Sequence, residues 1–192
     1  MLEEEYQPRR QLPLHLRPPE PEEPAFAYEL RAAEPSDVPS IREIYNHYVL
    51  NSSITLSDTP LSMAEARKKF DTARQRGYTF IVETSPGGQV LGFAYVYPWK
   101  EKAAYRFTVE NSIYLGPAAT GKGLGKALLK ELIDRSKQAG IKEMLAVIAD
   151  QGAEASIRLH EGFGFKEVGR LGRVGFKFGH WLGTVLLQKS LK

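Results

Sequence analysis

From Phe26 onward the apolar positions follow two rhythms, alternation in short runs and recurrence every three or four residues. Phe26–Ala33 alternates as a first strand. Pro35-Ser36-Asp37 then opens a helix whose apolar positions are Ile41, Ile44, Tyr45 and Tyr48. Ser62-Met63-Ala64-Glu65 matches a capping box ahead of a second helix that ends before Gly77. Tyr78–Thr84 and Gln89–Pro98, joined by Ser85-Pro86-Gly87-Gly88, read as an antiparallel hairpin, and Thr108–Leu115 as the next strand. A helix over Lys122–Ala139 is stopped by Gly140. A strand at Ile141–Ala149 and a short helix near Ala153–Glu161 follow. Strands near Phe165–Leu171 and Trp181–Leu191 close the chain, with Gly175–Gly179 connecting them. The order β-α-α-β-β-β-α-β-α-β-β predicts an α/β (α+β) fold, a mixed sheet flanked by helices.

Chemistry concentrates in Ser112–Leu129, where a strand end, a glycine-rich turn and a helix start succeed one another. Ile113, Tyr114 and Leu115 end the strand, Gly116-Pro117 breaks it, and Gly121, Gly123 and Gly125 lead into a helix with Leu124, Leu128 and Leu132 on one face. Such a turn presents free backbone N–H groups to an anion, and glycine admits a ligand close to the main chain. Three ligands compete for it. The stretch Gly116–Gly123 nearly spells a Walker A loop, and Asp150, at the end of the Met144–Ala149 run, would serve as a metal-binding aspartate. The last Walker position must carry a hydroxyl for Mg²⁺, however, and here it is Gly123. A dinucleotide fingerprint needs G-x-G-x-x-G, whereas the spacing here is G-x-G-x-G. The third candidate is the pyrophosphate loop of acyl-CoA-dependent N-acetyltransferases, which needs no metal. A hairpin directly before the loop argues against both nucleotide folds, which alternate strand and helix.

Composition narrows the picture. Residues 1–25 hold six of the twelve prolines, with Glu and Arg between them, and read as an extended tail ahead of a domain over residues 26–192. The full chain is 42% hydrophobic and 26% charged, so an ordered globule is expected. There is no cysteine, which excludes disulfides, thiolate metal sites and a cysteine nucleophile. His15, His47, His160 and His180 are too scattered to suggest a metal centre, so none is expected. The net charge of +3 is spread along the chain, without the clustered basic face of a nucleic-acid binder. No run reaches the roughly 20 apolar residues of a membrane span, and a cytoplasmic location is expected.

The order of elements, with the glycine loop after the fourth strand, resembles the GNAT superfamily of acetyl-CoA-dependent acyltransferases. Ala155-Ser156-Ile157-Arg158-Leu159-His160-Glu161-Gly162-Phe163-Gly164-Phe165 is similar to that superfamily's A-x-x-L-Y-x-x-x-G-F segment. Val174-Gly175-Phe176-Lys177-Phe178-Gly179, Tyr97-Pro98-Trp99-Lys100 and Ile44-Tyr45-Asn46-His47-Tyr48 resemble the phosphinothricin N-acetyltransferase family. The resemblance implies a GNAT fold splayed between strands 4 and 5, where acetyl-CoA inserts, and a homodimer. It also implies that backbone of Ile113, Tyr114 and Leu115 faces the pantetheine and thioester, and that Gly121, Lys122, Gly123, Leu124, Gly125 and Lys126 cradle the pyrophosphate. Thr120 stands where the family carries Gln or Arg, and Gly152-Ala153 where relatives carry an asparagine.

The same resemblance implies roles for single residues. Glu110 matches the position of the family's general base, and its residue-level alternative is an ordinary strand-edge carboxylate. His160 stands at the tyrosine of L-Y and relays a proton as acid or base, the alternative being a solvated helix histidine. Lys102 and Tyr105 lie in the segment that meets the amine substrate, and Leu56 falls at a pocket wall where relatives carry an aromatic. Gly183 departs from the relatives' W-x-D. Without a cysteine, direct attack of the amine on the thioester within a ternary complex is expected. The acceptor implied is the α-amine of a small amino-acid analogue such as phosphinothricin, methionine sulfoximine or methionine sulfone. A non-catalytic acyl-CoA sensor and a P-loop-like nucleotide binder remain as alternatives.

Overall fold

The computed structural model describes residues 27–192, so the proline-rich segment 1–25 lies outside the described residues. Strands β1 (Glu29–Ala32), β2 (Phe80–Thr84), β3 (Val90–Pro98), β4 (Thr108–Leu115), β5 (Glu143–Ala149), β6 (Lys166–Lys177) and β7 (His180–Ser190) form one sheet in the order β1-β2-β3-β4-β5-β7-β6. Every neighbouring pair is antiparallel except β4–β5. The P-loop reading fails on this sheet, because a nucleotide fold of that kind is built from parallel strands.

Helices α1 (Val38–Asn51) and α2 (Met63–Gln75) cover one face, and α3 (Leu124–Gln138) and α4 (Glu154–Gly162) the other. A short 3₁₀ turn, Pro35–Asp37, precedes α1, and Asp37 is clamped there by both guanidinium nitrogens of Arg31 at 2.7 and 2.8 Å. The capping box of α2 forms as expected. Ser62 Oγ accepts from the Glu65 N–H at 3.2 Å, and Glu65 Oε2 accepts from the Ser62 N–H at 2.8 Å. On α3, Leu124, Leu128, Leu129 and Leu132 are fully buried. Each such side chain contributes roughly 2 kcal/mol, so the helix is anchored by its core face and its glycine-rich start is left for another task.

Two expectations are corrected. Gly175–Gly179 is not a connection, because β6 continues to Lys177 and turns at Phe178-Gly179. Both turn residues have positive φ (50° and 78°), the two-residue hairpin geometry that matches strand twist. Asp150 is no metal ligand. Its Oδ1 accepts from the Gly183 N–H at 2.8 Å, and Gly183 has no Cβ because one would stand 2.4 Å from the same carboxylate. The departure at Gly183 therefore makes room for Asp150, which ties β5 to β7.

The implied opening between the fourth and fifth strands is present. β4 pairs with β5 only from Thr108 to Asn111, after which Ser112–Leu115 keep β3 alone and Val147–Ala149 keep β7 alone. That split is what positions the site.

Candidate active site

The loop between β4 and α3 turns twice through left-handed backbone, at Gly121 (φ 78°) and Gly123 (φ 80°). A Cβ at either would meet nothing within 4 Å, so these glycines serve backbone conformation and leave open space above the main chain. Gly123 is the N-cap of α3 and contributes no side-chain cap. The first intrahelical-type bond is Lys126 N–H to Gly123 C=O, and the N–H groups of Gly121, Gly123, Leu124 and Gly125 meet no backbone carbonyl among the described residues. Four donors at one spot, at the positive end of a 15-residue helix, suit an anion with no metal between. A pyrophosphate fits this cradle.

The cradle opens into a cleft of about 330 Å³ at the β4–β5 split, lined by residues that include Ile113, Tyr114, Leu115, Gly125, Ala146 and His160. Two of its walls were not anticipated in a functional role. The Tyr48 hydroxyl reaches from α1 to donate to the Leu115 carbonyl at 2.6 Å, capping the last carbonyl of the strand. Asn111 lies buried where the strands part. Its Nδ2 donates to the Leu145 carbonyl at 2.9 Å, substituting for the pairing the backbone has just given up. The available signal for Asn111 was an asparagine inside an apolar strand, which must find partners once buried.

His160 is buried, 3% exposed, and joined at both ring nitrogens. Nδ1 lies 2.8 Å from the Ser156 carbonyl, which can only accept, so Nδ1 carries a proton. Nε2 lies 3.0 Å from Asn111 Oδ1. With this amide orientation Nε2 must also donate, which describes imidazolium; in the neutral ring the amide turns over and donates to Nε2. Burial pushes the His160 pKa down and the Ser156 bond opposes it. That turn of the amide would take Asn111 Nδ2 away from the Leu145 carbonyl and set Oδ1 against it, so exchange of the ring proton is coupled to the Asn111 clasp.

Glu110 occupies the opposite face of β4. It pairs across from Tyr97 on β3, on the face shared with Tyr114, Tyr95 and α2. Burial pushes its carboxyl above the ordinary glutamate value, while the charges of Lys69 and Lys100 pull it back. Its neighbour Tyr114 is raised well above the ordinary tyrosine value by burial, with Tyr95 and Tyr45 adding to it, and stays neutral. Glu110 and His160 therefore approach the β4 split from its two sides and do not touch each other.

The remaining candidates divide. Thr120, Gly121 and Gly125 line the cleft; Leu124 is buried beneath it; Lys122 and Lys126 are exposed on the loop and first turn. Lys102 and Tyr105 are exposed in the short 3₁₀ segment before β4 and are not among the residues lining the cleft. Leu56 is 41% exposed and leans on Gly175, where a Cβ would stand 3.1 Å from it. That contact is fixed by Lys177, a buried ammonium donating to the Ser52 and Thr55 carbonyls at 2.8 Å each. The β6–β7 hairpin thereby holds the α1–α2 loop beside Glu110's face of the sheet. Among the described residues no group of three His, Cys, Asp or Glu could hold a metal, and no helix is long and apolar enough to cross a membrane.

Residues 39–165 match the model of the acetyltransferase (GNAT) family. A phosphinothricin N-acetyltransferase from Alcaligenes faecalis is 36% identical over 162 residues, which is 84% of this chain and 82% of that one. An L-methionine sulfoximine/L-methionine sulfone acetyltransferase from Pseudomonas aeruginosa is 39% identical over 84% of this chain and 94% of its own. Among solved structures, a GNAT superfamily phosphinothricin acetyltransferase from Sinorhizobium meliloti in complex with acetyl-CoA superposes with a TM-score of 0.81. It is 44% identical over 85% of this chain and 88% of that one.

Proposed function

Because this chain belongs to the GNAT acetyltransferase family, we propose that it transfers the acetyl group of acetyl-CoA to the α-amine of a small amino-acid analogue of the phosphinothricin or methionine sulfoximine and sulfone type. The observation that carries this reading is the cradle of unpaired N–H groups opening straight into the β4–β5 split. Acetyl-CoA supplies the activated thioester; the chain supplies binding and proton management. The amides of Gly121, Gly123, Leu124 and Gly125, with Lys122 and Lys126 beside them, hold the pyrophosphate. The parted backbone of Ile113, Tyr114 and Leu115 guides the pantetheine. The catalytic domain is taken as residues 26–192, and the protein as cytoplasmic.

Glu110 removes the proton that keeps the α-amine from attacking. Its partly buried carboxyl, raised by desolvation and restrained by two lysines, is more basic than an ordinary glutamate, as a general base for this step requires. The free amine attacks the thioester carbon directly, because the chain has no cysteine to carry the acetyl group. A C–N bond forms, the C–S bond breaks, and the departing thiolate takes a proton. His160, which reaches the same split from the α4 side, is the donor in this scheme. Leu56, Lys102 and Tyr105 are retained as acceptor-side residues, on the loops before α2 and β4.

One assay tests the scheme: thiol release from acetyl-CoA against a panel of phosphinothricin, methionine sulfoximine, methionine sulfone, lysine and an aminoglycoside. The first three are expected to turn over, and Glu110→Gln to lower kcat/KM about 10²–10⁴-fold at a pH above the Glu110 titration and below that of the amine, with the two proteins converging at low pH where the carboxyl is protonated. Binding of acetyl-CoA without release of thiol for any amine would identify a sensor. An unchanged pH–rate profile in Glu110→Gln would return that residue to an ordinary strand carboxylate.

A further inference from the structure

Lys69, on α2, enters the scheme above only through the charge it holds toward Glu110, and it is the cation built into Glu110's side of the sheet. Its Nζ sits 4.8 Å from the centre of the Tyr95 ring, 5.4 Å from Tyr97 and 5.5 Å from Tyr45. The Tyr97 hydroxyl donates to the backbone carbonyl of Lys69 itself, locking this turn of α2 against β3. The turn that carries Lys69 is therefore fixed, and the three ring faces mark where its ammonium lies. Its charge reaches Glu110, as expected for a group above Tyr95 and Tyr97 when Glu110 pairs across from Tyr97 on the adjacent strand. Among the described residues no carboxylate lies within ion-pair distance of it, whereas Arg31, Arg76, Lys130, Arg135 and Arg170 all have one.

Ring faces hold a cation without neutralising it. A half-buried ammonium caged by three tyrosines has given up water and gained no anion, so an incoming carboxylate meets a charge already partly desolvated. An α-amino acid carries its amine and carboxylate on the same carbon. A cation above the strand next to the base offers the carboxylate a partner on the side where the base would take the amine proton.

We propose that Lys69 binds the α-carboxylate of the acceptor and so sets the chain's preference for amino acids over simple amines, turning the amine toward Glu110. The inference rests on the acetyltransferase reading and goes beyond it by assigning a carboxylate site to α2. Lys102, exposed before β4, is left for the variable anionic tail of the substrate. Lys69 is in this sense a specificity-determining residue and not a proton carrier.

The test compares methionine sulfone with its methyl ester, which keeps size and amine but loses the carboxylate charge, in one thiol-release assay. The native chain is expected to favour the acid over the ester by at least tenfold in kcat/KM. Lys69→Met should move the acid limb of the kcat profile upward, because Glu110 loses one of the charges that restrain it. Compared above that limb, it should raise KM for the acid about tenfold or more, bringing the two substrates to parity while KM for acetyl-CoA holds. Lys69→Arg, which keeps the charge, should keep the preference for the acid, and that separates lost charge from a disturbed helix. An acid-over-ester preference that survives Lys69→Met overturns the inference and leaves the acetyltransferase reading standing. A native chain that acetylates no amino acid at all overturns both.

Discussion

Glu83 is the residue with the least comfortable surroundings. It lies on β2 between Leu30 and Gly92 in the sheet register, is fully buried, and both carboxyl oxygens lack a hydrogen-bond partner. Burial raises its pKa from 4.5 to about 7. Between about pH 4.5 and 7 the carboxyl is thus mainly neutral in the folded chain where it would be mainly ionised in the unfolded one. A raised acid pKa gives stability that is fully present below the unfolded value and is lost as pH climbs through the folded value. The gap corresponds to about 3 kcal/mol at its largest. Glu83→Gln is therefore expected to match the native chain in Tm near pH 4.5 and to exceed it by several degrees at pH 8.5. Parallel Tm profiles for the two proteins across that range would refute the assignment. The same reasoning separates Glu83 from Glu110: both are raised by desolvation, but only Glu110 has lysines within reach to keep an ionised form available for chemistry.

At the scale of elements, the β4–loop–α3 unit divides its work cleanly. Leu124, Leu128, Leu129 and Leu132 hold the helix to the sheet, and Gly121 and Gly123 shape the cradle without packing against anything. A substitution in the cradle should therefore damage binding and spare the fold. Gly123→Val forces a β-branched residue to a φ of 80° at a strain of roughly 1–3 kcal/mol, and fills the space a pyrophosphate would approach through. The expected outcome is a loss of the acetyl-CoA-induced rise in Tm, with the Tm of the ligand-free protein lowered by only a few degrees. The native chain should keep its full rise in EDTA, since the cradle consists of amides alone. A rise abolished by chelation would contradict a metal-free site. The α1–α2 loop shows a related division of labour, with Lys177 supplying the grip and Leu56 the contact surface.

For the whole molecule, the sheet ends in β6, an outer strand with no neighbour on one side among the described residues. Phe176, Phe178 and Trp181 are 60%, 55% and 49% exposed on this last hairpin, with Phe176 paired directly across from Trp181, and Leu171 and Val174 are exposed further along β6. An exposed apolar edge strand invites pairing with another chain. These features support our placing a second copy of this chain on that hairpin, in line with the homodimer that the family resemblance implies. Light scattering on a sizing column should then give about twice 21.5 kDa for the native chain, and Phe176→Glu should shift it toward the single-chain mass. A native protein that elutes as one chain at micromolar concentration argues against this arrangement. Because Lys177 belongs to the same hairpin, the dispersed variant is also expected to raise KM for the acceptor more than for acetyl-CoA.

Local pattern determined most of the elements. Thr108–Leu115 was legible to the residue from its alternation and the Gly116-Pro117 break, and α2 began at Ser62 as its capping box required. The glycine spacing likewise announced a helix start with free donors, because such donors need no distant partner. The β6–β7 turn escaped notice because a phenylalanine at positive φ violates local preference and is held there only by hairpin pairing. Whatever depended on strands meeting across long separations was decided by tertiary structure alone. The clasp of Asn111, Leu145 and His160, the reach of Tyr48 to Leu115, and the accommodation of Asp150 by Gly183 each join residues far apart in the chain. Sequence could name Lys69 only as one more helix lysine, since its meaning lies in three tyrosines from α1 and β3. Propensity acts over a few neighbours, whereas a charge or a buried amide takes its role from whatever the fold brings against it.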